Sequence, residues 1–321
     1  VPAGPPASLA PAIGTPAAGA GSPGNFPKET DSMTINVRPL GNGFAAGISG
    51  VDLSAPLGAA AWQTVYDAFL QYKVIAFHDQ QLDASQFYAF GERFGTVEPH
   101  VVEMYRHPER PGITLLSNRV ELGRPKGIKD AGSHWHSDYS YKQVPAKATM
   151  LYALETPADG GDTLFADLAA AYAALSPAMK QSLEGLRALH HYRWDDDQDN
   201  PEGRWRLLTQ AERDETPEVV HPVVCRHTET AEQSIYVFPG ITSGVKGIVG
   251  KTADESKALL QALYRHSAQE NFQFRYKWRP GDVVVWDNRA TMHCATTDKL
   301  PPDQFRSMWR INTTGTAPRA G

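Results

Sequence analysis

The stretch Val283-Val284-Val285-Trp286-Asp287-Asn288-Arg289-Ala290-Thr291-Met292-His293-Cys294-Ala295 decides the fold class. β-Branched and aromatic residues fill its first part, and Asp-Asn-Arg then interrupt it with turn formers, so it reads as strand, hairpin-like turn, strand. Similar segments flank it. Phe272–Tyr276 precedes it through the turn Arg279-Pro280-Gly281-Asp282, and Arg306–Asn312 follows it. Upstream, Val74–Phe77, Ile113–Leu116, Ala146–Leu154 and Gly160-Gly161-Asp162-Thr163-Leu164-Phe165, a turn opening into a strand, continue the pattern. Helices are expected mainly earlier, at Trp62–Leu70, after Asp83, at Asp167–Leu175 and at Pro177–Leu186, with one more after Thr252. Strands recur to the end without regular strand-helix alternation, which argues against a doubly wound parallel sheet. A mainly β fold, a double-stranded β-helix (a cupin-like jelly roll of two sheets) flanked by α-helices, accommodates the strand count and a ligand cavity inside.

Local signals fix several helix ends. Asp83 with Gln86 and Thr252 with Glu255 have capping-box spacing, Ser176 with Pro177 reads as an N-cap and first helical residue, and Gly95 stands where a helix C-terminal glycine would. Gly250-Lys251-Thr252 imitates the end of a phosphate-binding loop, but the earlier glycine, Gly244, is one residue out of place. The run Asp195-Asp196-Asp197-Gln198-Asp199 reads as a solvated loop, because adjacent carboxylates repel and lack the glycine and spacing of a calcium loop.

Composition narrows the class. The chain has 321 residues, 41% hydrophobic and 21% charged, with a net charge of −5 and no block of Lys and Arg, so no nucleic-acid partner is expected. No apolar run is long enough to cross a bilayer, and no signal peptide is apparent. Cys225 and Cys294 lie far apart without metal or redox spacing, which fits a cytoplasmic protein. Residues 1–32 are rich in Ala, Pro and Gly without an amphipathic period, and read as a disordered leader or cloning-derived segment. Residues 33–321 read as one domain.

The chemistry centres on Trp135-His136-Ser137-Asp138. On a regular strand a His and an Asp two residues apart share a face and can ligate one ion. Alone, such a triplet is expected about once by chance in a chain of this composition. A third ligand from a distant strand would close one triangular face, and two His with one carboxylate is the set associated with non-haem Fe(II) that keeps positions open. His293 is the best third ligand. His134 is a possible alternative, since on a strand it would share the face of His136, whereas His190, His191, His221, His227 and His266 read as surface or core residues.

Several motifs in one order, Trp135-His136-Ser137-Asp138, Gly160-Gly161-Asp162-Thr163-Leu164, Trp286-Asp287-Asn288-Arg289 with His293, and Arg306-Ser307-Met308-Trp309-Arg310, resemble the taurine dioxygenase (TauD/TfdA) family of Fe(II)/2-oxoglutarate-dependent dioxygenases. The resemblance runs from about Met33 to the C-terminus. It implies His136, Asp138 and His293 as iron ligands, Thr163 and Arg306 on the distal carboxylate of 2-oxoglutarate, and Arg310 with His100 on the anionic head of a primary substrate. It places Arg310 on the same strand face as Arg306, four residues along. It also implies Fe(II), 2-oxoglutarate and O2 as cofactor and co-substrates, release of succinate and CO2, hydroxylation of a small anionic organic molecule, and a role in sulfur metabolism. A dimer or tetramer is the expected assembly.

Taurine or another alkanesulfonate is the first substrate reading, with alkyl sulfates and aryloxy or other carboxylates as alternatives. A metal-binding jelly roll without oxygenase activity is the remote one. Two departures bear on taurine. Val101-Val102-Glu103 stands where the taurine enzymes carry an aromatic hydroxyl, Glu103 being unfavourable unless it points outward, and Ala131-Gly132-Ser133-His134 lacks their asparagine. Phe238-Pro239-Gly240-Ile241 is a candidate pocket wall. Trp135 and Trp286 are read equally as site or core residues, and Cys294 is expected to point away from the metal.

Overall fold

The computed structural model describes residues 34–41, 43–193, 207–240 and 243–321, together with Val1 and Gly4. The chain divides into two units, Val1–Met33 and Thr34–Gly321. Val1 and Gly4 are exposed; the rest of the leader read at 1–32 and the acidic run 195–199 lie outside the described residues.

In chain order the strands are β1 (Asn36–Leu40), β2 (Ala45–Ser49), β3 (Val74–Phe77), β4 (Val97–Glu98), β5 (Thr114–Ser117), β6 (Val120–Glu121) and β7 (Arg124–Pro125). The middle carries β8 (Ala146–Glu155), β9 (Thr163–Asp167), β10 (Arg187–Tyr192), β11 (Val219–Pro222), β12 (Val224–Arg226), β13 (Gln233–Ile235) and β14 (Ser243–Ile248). Last come β15 (Gln273–Tyr276), β16 (Val283–Asp287), β17 (Thr291–Ala295), β18 (Ser307–Thr314) and β19 (Arg319–Ala320). A large sheet runs β1-β2-β3-β16-β8-β18-β4, with β5 also on β18, and a small one runs β15-β9-β17. This is the expected jelly roll.

Alternation explains why the strands of the large sheet are apolar almost throughout, since both faces are buried. Ile75, Phe77, Met150, Tyr152, Val283, Val285 and Ile311 face one way and pack on Val65, Phe69, Phe87 and Phe90 of the helices Ala59–Tyr72 and Ala84–Glu92. One residue out of phase, Val74, Ala76, Leu151, Ala153, Val284, Trp286 and Met308 pack on Phe165, Tyr276 and Trp278 from the small-sheet side. The site occupies this inner space.

The stretch 283–295 is not a hairpin. β16 pairs with β3 and β8 in the large sheet, whereas β17 pairs with β9 in the small one, so the turn between them crosses from sheet to sheet. Backbone bonds hold the crossing: Asp287 N–H donates to the Lys73 carbonyl at 2.8 Å, Asn288 N–H to Lys147 at 2.9 Å, and Leu168 N–H to Ala290 at 2.9 Å. The turn between β15 and β16 crosses likewise. Its Gly281 has φ +86, and a Cβ there would stand 3.0 Å from the Gln80 carbonyl oxygen, so glycine fits both the turn and the contact.

Both capping boxes form, at Asp83/Gln86 and Thr252/Glu255, and Ser176 Oγ accepts from Met179 N–H at 3.2 Å. Gly95 is a correction. The helix ends at Glu92 with a right-handed Arg93 cap, and Gly95 lies beyond it, where a Cβ would stand 2.9 Å from the Thr314 carbonyl oxygen. The sequence reading also passed over the short strands β10 to β14 and the helix Gln210–Asp214, which is capped by Thr209 and Glu212. Together with the helix Ala253–Ser267 this insertion buries Ala188, Val223, Ile235, Leu260 and Leu263 in a second core. Among the described residues no helix is long and apolar enough to cross a membrane.

Candidate active site

His136 and His293 exchange backbone bonds, His136 N–H to the His293 carbonyl at 3.0 Å and His293 N–H to the His136 carbonyl at 2.8 Å. Residues directly opposite in such an antiparallel pair project their side chains to one side. Their ring centroids are accordingly 4.1 Å apart. The regular strand expected through His136 and Asp138 is absent: His136 makes an isolated bridge, and the chain then turns, with Tyr139 at φ +55. The turn still delivers Asp138 to the pair. Asp138 Oδ1 lies 3.8 Å from His136 Nε2, and Oδ2 lies 3.7 Å from His293 Nε2. All three residues are buried, and one potential ligand atom from each lies within 4.8 Å of the others, the cluster of metal-binding character found among the described residues. An ion about 2.0–2.2 Å from each donor would fit such spacing with a modest contraction.

His134 takes a supporting place. His136 Nδ1 donates to its backbone carbonyl at 2.8 Å, which fixes the tautomer and leaves the Nε2 lone pair facing Asp138. Burial first of all holds His136 and His293 down at about 4, against the opposing pull of the Asp138 carboxylate. Asp138 is held well below the usual carboxylate range: burial opposes this, but His293, Arg310, His136 and the Thr149 hydroxyl outweigh it. The donors are therefore in their ligating forms at neutral pH. Gly132, with φ +74, passes so close that a Cβ would stand 2.5 Å from His136 Cε1, so the site in this chain has no room for a side chain there.

These shifts make metal-free protein acid-sensitive. His100, held down at about 3 by burial first and Arg310 second, behaves like His136 and His293. The unfolded chain binds these protons near pH 6.5 and the folded chain only near 3 to 4, so stability is intact above 6.5 and falls as pH drops through that window. Each buried imidazole removes about 1.4 kcal/mol per pH unit. The urea midpoint of metal-free protein should fall clearly between pH 7 and pH 5; equal midpoints would show that these imidazoles are not buried neutral.

Thr149, Asn288 and Asn312 sit behind Asp138. Thr149 Oγ1 donates to Asp138 Oδ2 at 2.7 Å, and accepts from Asn288 Nδ2 at 2.8 Å and Asn312 Nδ2 at 2.7 Å. Asn288 Oδ1 accepts from Asp138 N–H at 3.2 Å, and the Asn288 carbonyl accepts from Ser137 Oγ at 3.0 Å. Asn288 is presented by the crossing turn, where Asp287 is buried and held by Arg289 and by His227 Nε2 at 3.0 Å.

Arg306 and Thr163 come together on the small-sheet side, joined by a residue the sequence reading missed. Trp278 Nε1 donates to Thr163 Oγ1 at 2.9 Å, and the Arg306 guanidinium lies 5.7 Å from the Trp278 ring. Arg306 is buried, its Nε and Nη2 have no hydrogen-bond partner, and burial lowers it to about 10 against the pull of Asp162. Buried N–H groups and charge without a partner fit a carboxylate ligand. The same-strand argument for Arg306 and Arg310 does not hold. Arg306 precedes β18, its N–H donates to Asn118 Oδ1 at 2.9 Å, and the β18 register shifts at Ser307/Met308.

Arg310 lies beside the triad, with Nη1 3.6 Å from Asp138 Oδ1 and Nε unpartnered. The charge of Arg310 is felt at His100, whose Nδ1 accepts from Val102 N–H at 3.0 Å. Buried Tyr139 adds a hydroxyl without a partner. Glu103 is exposed in the 3-10 turn Glu103–Tyr105. Met292 packs away from the site with Phe238, Tyr236 and Trp135, and Cys294 shares its outward parity, as expected. Trp286 packs 4.7 Å from the His293 ring and also belongs to the inner core, whereas Ile241 lies outside the described residues.

Thr149, Asn312 and Trp278 were legible only faintly. Thr149 is a fully buried polar residue in β8, whose other polar residues, Lys147 and Glu155, stand near its ends and are only partly buried, and such an exception is the available signal.

The chain matches the family described as taurine catabolism dioxygenase TauD, TfdA family over residues 36–312. It is 32% identical over 275 residues to the alpha-ketoglutarate-dependent 2,4-dichlorophenoxyacetate dioxygenase of Cupriavidus pinatubonensis, covering 81% of this chain and 92% of that protein. It is 31% identical over 291 residues to the alkylsulfatase of Acinetobacter baylyi, covering 89% and 87%. The crystal structure of a taurine dioxygenase from Burkholderia xenovorans superposes with a TM-score of 0.73 at 32% identity, covering 89% of this chain and 93% of that one.

Proposed function

Since this chain belongs to the TauD/TfdA family and is an alpha-ketoglutarate-dependent dioxygenase, we propose that His136, Asp138 and His293 hold Fe(II) between an Arg306 site for 2-oxoglutarate and an Arg310 site for an anionic substrate. One observation carries this reading: the buried Arg306 beside Thr163 and Trp278, and the partly buried Arg310 with Nη1 3.6 Å from Asp138 Oδ1, each keep at least one buried N–H group without a partner. Each calls for an anion.

In this proposal Arg306 takes the distal carboxylate of 2-oxoglutarate, helped by the Thr163 hydroxyl that Trp278 orients. Arg310 takes the head group of the primary substrate, with His100 and the Tyr139 hydroxyl close by. The chemistry supplied by bound iron and 2-oxoglutarate is activation of dioxygen coupled to release of succinate and CO2, with hydroxylation of a substrate carbon. The residues around the site keep it dry and the donors deprotonated, which strengthens every charge interaction within it.

The substrate is a small organic anion, with a sulfonate such as taurine as first choice. Glu103 points to solvent, so its charge does not oppose an anion at Arg310. The relatives named for an aryloxyacetate and for alkyl sulfates support the alternatives, because a guanidinium pairs with carboxylate and sulfate alike. The two free cysteines support a reducing, cytoplasmic setting, and a dimer or tetramer remains part of the proposal.

The test is succinate formation from 2-oxoglutarate by anaerobically Fe(II)-loaded protein exposed to oxygen, across taurine, alkanesulfonates, alkyl sulfates and aryloxyacetates. Stimulation by one class is the expected result and names the head group. Binding of 2-oxoglutarate without stimulation by any member would overturn the substrate part alone, and absence of 2-oxoglutarate binding would overturn the site assignment.

A further inference from the structure

Thr149 lies on β8, reached by no ligand role assigned above, yet its hydroxyl is the hub of a closed hydrogen-bond set. The direction of every bond is forced. Asp138 N–H can only donate, so the Asn288 end facing it is the oxygen, and the Asn288 end facing Thr149 is the NH2. The Asp138 carboxylate can only accept, so the single Thr149 proton goes to Oδ2. With that proton committed, Asn312 must also present its NH2, at 2.7 Å. A hydroxyl has one proton and two lone pairs, and all three are used.

We infer that Thr149, held by Asn288 and Asn312, is a positioning residue that reserves Asp138 Oδ2 as a hydrogen-bond acceptor and leaves Oδ1 as the metal-ligating oxygen. This rests on the proposal that His136, Asp138 and His293 bind a metal. Among the described residues no hydrogen bond reaches Oδ1, and Arg310 Nη1 lies 3.6 Å from it, outside hydrogen-bond range. Holding Asp138 to one oxygen matters for the function proposed. A carboxylate ligating through both oxygens would take a coordination position that 2-oxoglutarate and dioxygen need. The three supporting residues come from β8, the crossing turn after β16, and β18, adjacent elements of the large sheet, so the device is built into the rigid wall of the site. Register places Thr149 opposite both Trp286 and Asn312.

The experiment is Mn(II) binding to the full-length protein, read by the resonance signal of free Mn(II), with visible spectra of the Co(II)-loaded protein alongside. Thr149→Val removes the hydroxyl at nearly constant shape and should weaken Mn(II) about 10- to 100-fold, the range for loss of a residue that orients a metal ligand. Thr149→Ser keeps the hydroxyl and should stay within about 3-fold of the wild type on the same scale. The Co(II) bands should change in Thr149→Val, as Oδ2 becomes free to coordinate, and not in Thr149→Ser. Asn312→Ser, which frees one lone pair and lets the proton turn away from Asp138, should weaken Mn(II) several-fold, and it decides the matter if Thr149→Val does not fold. Unchanged Mn(II) affinity in Thr149→Val or Asn312→Ser, an unchanged Co(II) spectrum in Thr149→Val, or equal losses in Thr149→Val and Thr149→Ser would overturn the inference. Wild-type protein that binds no Mn(II) would instead remove the metal-site proposal beneath it.

Discussion

Asp138→Ala is expected to abolish metal binding and succinate formation together, the largest effect of any single change in this chain. Asp138 is the one anion in the cluster, facing two neutral imidazoles and the positive Arg310. Without it a divalent ion would meet two neutral donors beside a guanidinium in a buried site, where charge repulsion is strong. Loss of Mn(II) affinity should exceed the roughly 100-fold upper range for a supporting residue. The substitution also strands the Thr149 proton, and an unsatisfied buried donor costs about 1–3 kcal/mol. The urea midpoint of the metal-free variant should therefore fall as well. His136→Ala should match the loss of activity, because it leaves one imidazole and one carboxylate. Wild-type Mn(II) affinity in either variant would remove that residue from the ligand set.

Arg306→Ala and Arg310→Ala are expected to separate the two anion sites. Loss of charge-assisted hydrogen bonds to a buried carboxylate or sulfonate should cost about 2–4 kcal/mol, roughly 30- to 1,000-fold in affinity. In Arg306→Ala that loss should fall on 2-oxoglutarate, and Arg306→Lys should recover little of it, since an ammonium lacks the planar fork. In Arg310→Ala the loss should fall on the primary substrate, while 2-oxoglutarate binding stays largely intact. Mn(II) affinity should not fall in Arg310→Ala, because removing a positive charge 3.6 Å from Asp138 Oδ1 strengthens that donor toward a cation. Titration of each variant with 2-oxoglutarate, and KM for the best member of the substrate panel, read the two sites separately. The reverse pattern would mean that the two arginines exchange roles.

The sequence was most informative where periodicity and chemistry coincide. Val283-Val284-Val285-Trp286 announces a strand buried on both faces, and Asp83/Gln86 and Thr252/Glu255 announce helix starts, because these depend on residues within one turn or one strand of each other. The short strands of the insertion were not legible. Segments such as Gln233–Ile235 carry too few residues for a period to show, and only their partners make them strands.

The residues that form the candidate site were present as motifs, so the chain by itself determined the donor types, the two arginines and the jelly-roll class that could assemble them. Where each side chain points was decided by tertiary structure. His136 and Asp138 converge through a bridge to β17 and a turn at Tyr139 rather than along one strand, and Arg306 reaches Trp278 from outside the β18 ladder. The crossing of β16 to β17 between sheets likewise brings Asn288 behind Asp138, where Thr149 and Asn312 complete its surroundings. Strand parity is a local property written in the chain, whereas the pairing partner, the register shift and the sheet crossing follow from burial and backbone hydrogen bonding across hundreds of residues, which no local pattern encodes.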